Sequence, residues 1–276
     1  MIGAIIGDMV GSIYEFQPIK TKDFSLKNPR MRMTDDSYLT MSVARVLMKN
    51  YPIKYDGESL DKIKKDLVDD FILTWQKHRD AGFGGMFYNW CVLSSRGNIE
   101  PYNSFGNGSA MRISPVGWVA NTEEEVKILS KAVTEITHNH PEGIKGAEAV
   151  AMCIYLARKG FNKEQIKERM VKEYYPEIKN LSFEELKKTY EFSEICQKSV
   201  PQAIFCFLIS NGLEDAIRNC VAIGGDCDTT GAMAGAIAEA YYKNEKSKEF
   251  IEYFSYYFID PDVEKLVKDF HDLIGR

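Results

Sequence analysis

The sequence predicts an all-α fold, a single compact multi-helix domain of residues 1–276. Apolar residues recur with a period near 3.6 along nearly the whole chain, and alternation with period 2 is almost absent. Helix-start residues such as Thr34, Thr122, Asn162 and Ser182 punctuate that pattern. No Pro/Ser-rich linker, low-complexity tract or internal repeat divides the chain.

In order along the chain, Ile2, Ile5, Ile6, Met9, Val10 and Ile13 follow one helical stripe. Gly3, Gly7 and Gly11 recur every four residues on another, which suits close approach of a neighbouring backbone. Asp8, Ser12 and Glu15 stand at i, i+4 and i+7, a polar face on an apolar helix and a candidate cavity lining. A second helix carries Leu39, Val43, Val46 and Leu47, with Thr34 as N-cap and Asp35 and Asp36 in its first turn. Residues 58–77 form a third through Leu60, Ile63, Leu67, Phe71 and Trp75. Thr122-x-x-Glu125 reads as a capping box before Leu129, Val133 and Ile136. Pro141 suits the first turn of a helix ending near Gly160, and Asn162, Ser182 and Pro201 read as further starts. The Lys/Glu-rich stretch 163–188 reads as a solvated surface. A small-residue helix is expected over Asp226–Tyr242 and a last one over Asp262–Ile274.

Composition excludes several classes. With 45% hydrophobic and 27% charged residues, the chain is an ordinary globular protein able to bury a large core and stable without a partner, so a monomer is expected. A net charge of −5 disfavours a dedicated nucleic-acid surface. No run of about 18 apolar residues predicts a membrane span. The stretch Met1–Asp8 lacks the basic start of a signal peptide. The six cysteines form no CxxC pair and sit among apolar neighbours, as reduced core thiols of a cytoplasmic protein do; Cys227 alone lies within a polar cluster.

Two oxygen-rich clusters carry the chemistry: Thr34-Asp35-Asp36-Ser37 and Asp226-Cys227-Asp228-Thr229-Thr230. Asp and Thr at helix starts commonly satisfy free backbone N–H groups, but adjacent carboxylates are electrostatically wasteful for capping alone. If the fold joins the clusters, four carboxylates share one volume, and they cannot all stay ionised without a cation. All-oxygen ligands suit Mg²⁺ or Mn²⁺ better than zinc, which points to a one- or two-metal hydrolytic site. Three Gly-rich segments, Ala81–Gly85, Phe105–Ser109 and Gly224-Gly225, read either as turns or as backbone cradles for a phosphate-bearing ligand. His138 and His140 stand at a helix junction, where ligand contact competes with capping of the preceding helix; capping is favoured for His140. His271-Asp272, in the last helix, reads as surface.

Taken together, Gly7-Asp8-x-x-Gly11-Ser12-x-x-Glu15, Thr34-Asp35-Asp36-Ser37, Gly106-Asn107-Gly108-Ser109-Ala110-Met111-Arg112, Thr137-His138 and Gly224-Gly225-Asp226-x-Asp228-Thr229 occur in the order seen in ADP-ribosylglycohydrolases. The chain resembles that family, the relatives of dinitrogenase reductase-activating glycohydrolase, from residue 1 to about residue 240. The resemblance implies an all-α fold and two Mg²⁺ (or Mn²⁺) ions held by Thr34, Asp35, Asp36, Asp226, Asp228 and Thr229. It implies Glu15 and Asp36 as catalytic groups. It implies ADP-ribose contacts from Gly82, Gly84, Gly85, Phe105, Gly106, Asn107, Gly108, Ser109, Met111 and His138. Cys227 should point away from the metals. Asp80 is a weaker candidate for contacting the leaving group. The reaction implied is removal of ADP-ribose from a protein, nucleic-acid base or small-molecule acceptor at the anomeric carbon. Two rivals remain: a metal-dependent phosphohydrolase cutting the diphosphate, and a non-catalytic ADP-ribose-binding protein.

Overall fold

The computed structural model describes residues 1–275. Among these, the elements are α1 (Ile2–Gly11), α2 (Asp35–Lys49), α3 (Gly57–Lys77), α4 (Gly85–Ser94), α5 (Gly108–Met111), α6 (Ser114–Val119), α7 (Glu123–Thr134) and α8 (Pro141–Arg158). After these come α9 (Lys163–Glu173), a 3₁₀ turn (Pro176–Asn180), α10 (Phe183–Thr189), α11 (Cys196–Leu208), α12 (Leu213–Ile223), α13 (Cys227–Tyr241), α14 (Glu245–Phe258) and α15 (Pro261–Leu273). The one β-type pairing among the described residues is an isolated antiparallel bridge between Gly106 and Ile195.

The core is organised around α13, which packs on α1, α12, α11 and α8. Its pairing with α1 is the most extensive helix contact, and glycines on both helices explain why. A Cβ at Gly7 would lie 2.0 Å from the Gly231 carbonyl oxygen, and one at Gly3 would lie 2.3 Å from that of Gly235. The two backbones therefore touch directly, the approach that the four-residue glycine spacing predicts. Gly7→Ala must push the helices apart, and overpacking of this kind costs about 1–3 kcal/mol or more. Denaturant unfolding should show that loss; an unchanged midpoint would mean the contact is not rigid.

Helix starts follow the expected chemistry with some differences. The Thr34 side chain caps α2 by accepting from the Asp36 N–H at 3.4 Å. Thr122 accepts from the Glu125 N–H at 3.1 Å, but Glu125 reaches back to the Asn121 N–H at 2.7 Å rather than to Thr122. The reciprocal capping box lies instead at Asn162 and Gln165. Pro201 is not a helix start: α11 begins at Cys196 and carries Pro201 inside it. His140 caps the start of α8, accepting from the Glu142 N–H at 3.1 Å, rather than the end of α7. His271 is not at the surface. It is mostly buried against the Trp118 ring, 3.7 Å from Glu239, and burial pulls its pKa to about 4.

One further difference shapes the site. The α1 helix ends at Gly11, and the Tyr14 and Glu15 N–H groups turn back to the Gly11 carbonyl at 2.8 and 3.2 Å. Glu15 therefore rides on a turn beyond the helix, not on a continuous polar helical face.

Candidate active site

The C-terminal end of α1 and the N-terminal ends of α2 and α13 converge, which joins the two oxygen-rich clusters in space. Asp8, Asp36 and Asp228 each offer a carboxylate oxygen within 4.8 Å of the others, and so do Glu15, Asp226 and Asp228. Asp228 belongs to both triads.

Asp8 is fully buried and already well supplied with donors. It accepts from the Thr34 N–H at 2.9 Å, the Thr34 hydroxyl at 2.7 Å, the Ser37 N–H at 3.2 Å and the Ser37 hydroxyl. These bonds lock the start of α2 onto α1. Asp36, by contrast, has one buried oxygen, Oδ1, with no hydrogen-bond partner. A buried carboxylate oxygen left bare is costly, and a cation satisfies it directly. The Asp226 Oδ2 accepts from the Asn107 amide at 2.7 Å, and the Asp228 Oδ1 accepts from the Thr229 N–H at 2.9 Å. Cys227 turns its thiol away, donating to the Gly11 carbonyl at 3.3 Å.

Electrostatics make the same point as the bare oxygen. Burial first, and then the Asp228 charge, push Asp8 up to about 7, and Asp35 and Glu15 up to about 8. The same two causes hold Asp36 and Asp226 well above the usual carboxylate range. Without a cation these acids keep protons at neutral pH; with one they can all ionise. An all-oxygen donor set with one orphaned acceptor fits a hard divalent ion.

A cavity of about 320 Å³ opens over the cluster. Its walls include Glu15, Asp35, Asp36, Asp226, Asp228 and Thr229, together with Gly82, Gly84 and Gly85 from the α3–α4 connection. Phe105, Gly106, Asn107, Gly108, Met111 and His138 line it as well. Thr34 and Ser109 are outside the lining. Thr34 also hydrogen-bonds Asp36 Oδ2 at 3.0 Å, while Ser109 is buried and donates to the Gly143 carbonyl at 2.8 Å, anchoring the glycine loop from below. Asp80 is exposed and outside the lining; its carbonyl accepts from Arg32 at 3.2 Å. Gly224 and Gly225 have φ of +74° and +73°, a left-handed reversal that delivers Asp226 to the start of α13. The Lys20 ammonium clasps that reversal, donating to the Tyr190 carbonyl at 2.7 Å and the Ile223 carbonyl at 2.5 Å.

Some lining residues escaped the sequence reading. Glu194 and Ile195 arrive through the Gly106–Ile195 bridge, where the Asn107 N–H donates to the Glu194 carbonyl at 2.8 Å. No local pattern announces them. Arg112, at the end of the Ala110-Met111-Arg112 run, is 1% exposed, and so large a buried cation is a signal once burial is known.

Helices alone, closed around a cavity with a carboxylate floor, define the class: an all-α protein with an acidic candidate active site. The ADP-ribosylglycohydrolase family model matches residues 1–275, and the chain belongs to that family. It is 26% identical to ADP-ribosylhydrolase ARH3 of Mus musculus, over 90% of this chain and 84% of the relative. Identity to ADP-ribosylarginine hydrolase Tri1 of Pseudomonas putida is 22%, over 88% and 69%. A solved structure described as an ADP-ribosylglycohydrolase-related protein complex superposes with a TM-score of 0.70 at 19% identity, covering 99% of this chain and 97% of that one. This last likeness shows the fold.

Proposed function

We propose that the chain removes ADP-ribose from an ADP-ribosylated acceptor by hydrolysing the N- or O-glycosidic bond at the distal ribose, with two Mg²⁺ or Mn²⁺ ions. Hydrolysis of ADP-ribosyl linkages follows from family membership and from relatives named ADP-ribosylhydrolase and ADP-ribosylarginine hydrolase. The observation that carries the finer reading is the pair of carboxylate triads sharing Asp228, one of which includes Glu15, at the cavity floor.

Asp35, Asp36, Asp226, Asp228, Thr34 and Thr229 would hold the ions, with Asp8 orienting Thr34 and offering a further carboxylate oxygen beside Asp36 and Asp228. When bound, such ions neutralise the carboxylates, fix vicinal hydroxyls and lower the pKa of water towards neutrality. The chain's own groups do the rest. The carboxylates stabilise positive charge that develops at the anomeric carbon. Glu15, held near 8 before cations arrive, is placed to hold or move a proton at its carboxylate, with Asp36 as the neighbouring candidate. The two glycine loops let a ligand approach the backbone closely, and Asn107 ties one of them to Asp226. Among the described residues, no helix is long and apolar enough to cross a membrane. All six cysteines are buried free thiols, which fits the reduced, cytoplasmic setting proposed here; a monomer is proposed with it.

A panel of ADP-ribosylated arginine, serine, acetyl-ester and nucleobase acceptors, incubated with Mg²⁺ or Mn²⁺, tests this reading. Release of free ADP-ribose is expected. AMP with ribose phosphate would identify a phosphohydrolase, and calorimetric binding without turnover a binding protein. Asp35→Asn and Asp228→Asn should each weaken cation binding and keep the helical circular dichroism. Unfolding of both would mean that these carboxylates serve the fold alone.

A further inference from the structure

We infer that Arg112, acting through Thr137, is a positioning residue that fixes His138 as an uncharged Nε2–H donor facing the cavity. The inference rests on the reading of that cavity as the ligand site.

Donor accounting carries it. Arg112 is almost fully buried, can only donate, and directs one N–H from Nη2 to the Thr137 hydroxyl oxygen at 2.6 Å. No ion pair fixes its guanidinium among the described residues; its face lies 4.7 Å from the Phe71 ring centroid. Thr137 therefore accepts from Arg112 and has one proton left to give. Two acceptors compete for that proton. The Thr134 carbonyl is 3.4 Å away and already receives the Thr137 and His138 N–H groups at 3.2 and 2.9 Å. The His138 Nδ1 is 2.8 Å away and has no other donor. An oxygen already accepting from a guanidinium is a stronger donor and a poorer second acceptor, so the hydroxyl gives its proton across the 2.8 Å contact and Nδ1 accepts.

With Nδ1 accepting, a neutral imidazole must carry its proton on Nε2. The ring is buried, and burial, reinforced by the Arg112 charge, holds its pKa well below the usual value, so it stays neutral at pH 7. Nε2 lies on the side of Gly106 and Gly108: a Cβ at those positions would be 3.5 and 3.3 Å from it. Nε2 has no hydrogen-bond partner among the described residues, and His138 lines the cavity. The site thus presents a fixed neutral donor beside the glycine loop. It takes an acceptor oxygen, such as a phosphoryl or ribosyl oxygen, and leaves a ligand N–H unmatched.

The test reads the ring directly. Long-range ¹H–¹⁵N correlation spectra of the intact protein at pH 7, with His138→Asn to assign the signal, should show Nε2 protonated and Nδ1 as a hydrogen-bonded acceptor. Thr137→Val removes the relay at constant shape and should shift the Nδ1 resonance and weaken ADP-ribose binding about five- to tenfold, as loss of one orienting hydrogen bond does. Thr137→Ser should restore both. An imidazolium or an Nδ1–H tautomer in the wild type would overturn the inference, as would a Val variant with wild-type Nδ1 shift and affinity. Should the Val variant not fold, the wild-type spectrum and the Ser variant still decide. If ADP-ribose fails to bind the wild type, the proposed function falls, while the spectrum still settles the relay.

Discussion

Exhaustive chelation should abolish turnover, and Mg²⁺ or Mn²⁺ should restore it. The same treatment should lower the melting temperature, because removing the cations withdraws their binding energy, leaves Asp36 Oδ1 bare and forces the clustered acids either to take up protons or to repel one another. At a hundredfold excess over Kd, a cation bound only by the folded chain contributes about 2.7 kcal/mol, which for a chain of this size is a shift of roughly 5 °C. The metal-free protein carries a pH signature of its own. Asp8, Asp35 and Glu15 have folded-state pKa values raised to about 7, 8 and 8, so the folded chain binds more protons than the unfolded one across the interval from ordinary carboxylate values up to about 8. Stability of the metal-free form is therefore greatest at mildly acidic pH and falls as pH rises towards 8. Saturating cation should remove that slope. Melting curves at several pH values, with chelator and with Mg²⁺, check both statements. Full activity and an unchanged melting temperature in metal-free protein would remove the cation from the mechanism.

What local sequence could and could not show follows from the range of the interactions. The α3 helix, read over 58–77, spans Gly57–Lys77, because its start, stripe and end are all short-range signals. That α1 and α13 each invite a close neighbour was legible for the same reason, since residues four apart share a face and small ones admit a backbone; that they would be each other's partner was not. The limits were long-range. Nothing near Asp8 indicates that Ser37 and Thr34 will saturate it, and nothing near Glu194 indicates that it will pair with the Gly106 loop. Glu15 was assigned to the right neighbourhood for the wrong reason. The helical offset from Asp8 assumes that α1 continues, whereas α1 ends at Gly11, where α13 begins beneath it: a Cβ on Gly11 would lie 2.3 Å from Asp228 Cα. The turn that follows, not helical periodicity, brings Glu15 to Asp226 and Asp228. Pro201 was misplaced because a proline favours helix starts on average, while packing keeps α11 intact on both sides of it.

Glu15→Gln should cut turnover by roughly 10²-fold or more while leaving ADP-ribose affinity and melting temperature close to wild type. The geometry gives the reason for each part. Glu15 sits on the cavity wall, with a carboxylate oxygen within 4.8 Å of those of Asp226 and Asp228. It is half-buried on a turn that its backbone N–H holds to Gly11 at 3.2 Å, so the fold depends on that backbone bond and not on the side chain. The carboxamide keeps the size of the side chain and, like the protonated acid that burial and the Asp228 charge favour in the metal-free protein, carries no charge, so stability should stay close to wild type. What it loses is the capacity to take up and release a proton. The decisive measurement is single-turnover hydrolysis at saturating cation, which separates chemistry from binding. If Glu15 instead only supplies an oxygen to a cation, Gln should weaken cation affinity, and raised Mg²⁺ should restore the rate. If it transfers the proton, no concentration of Mg²⁺ restores it. A Gln variant with wild-type turnover would move the proton-transfer role to Asp36, the carboxylate whose unpartnered buried oxygen makes it the next candidate on the same floor.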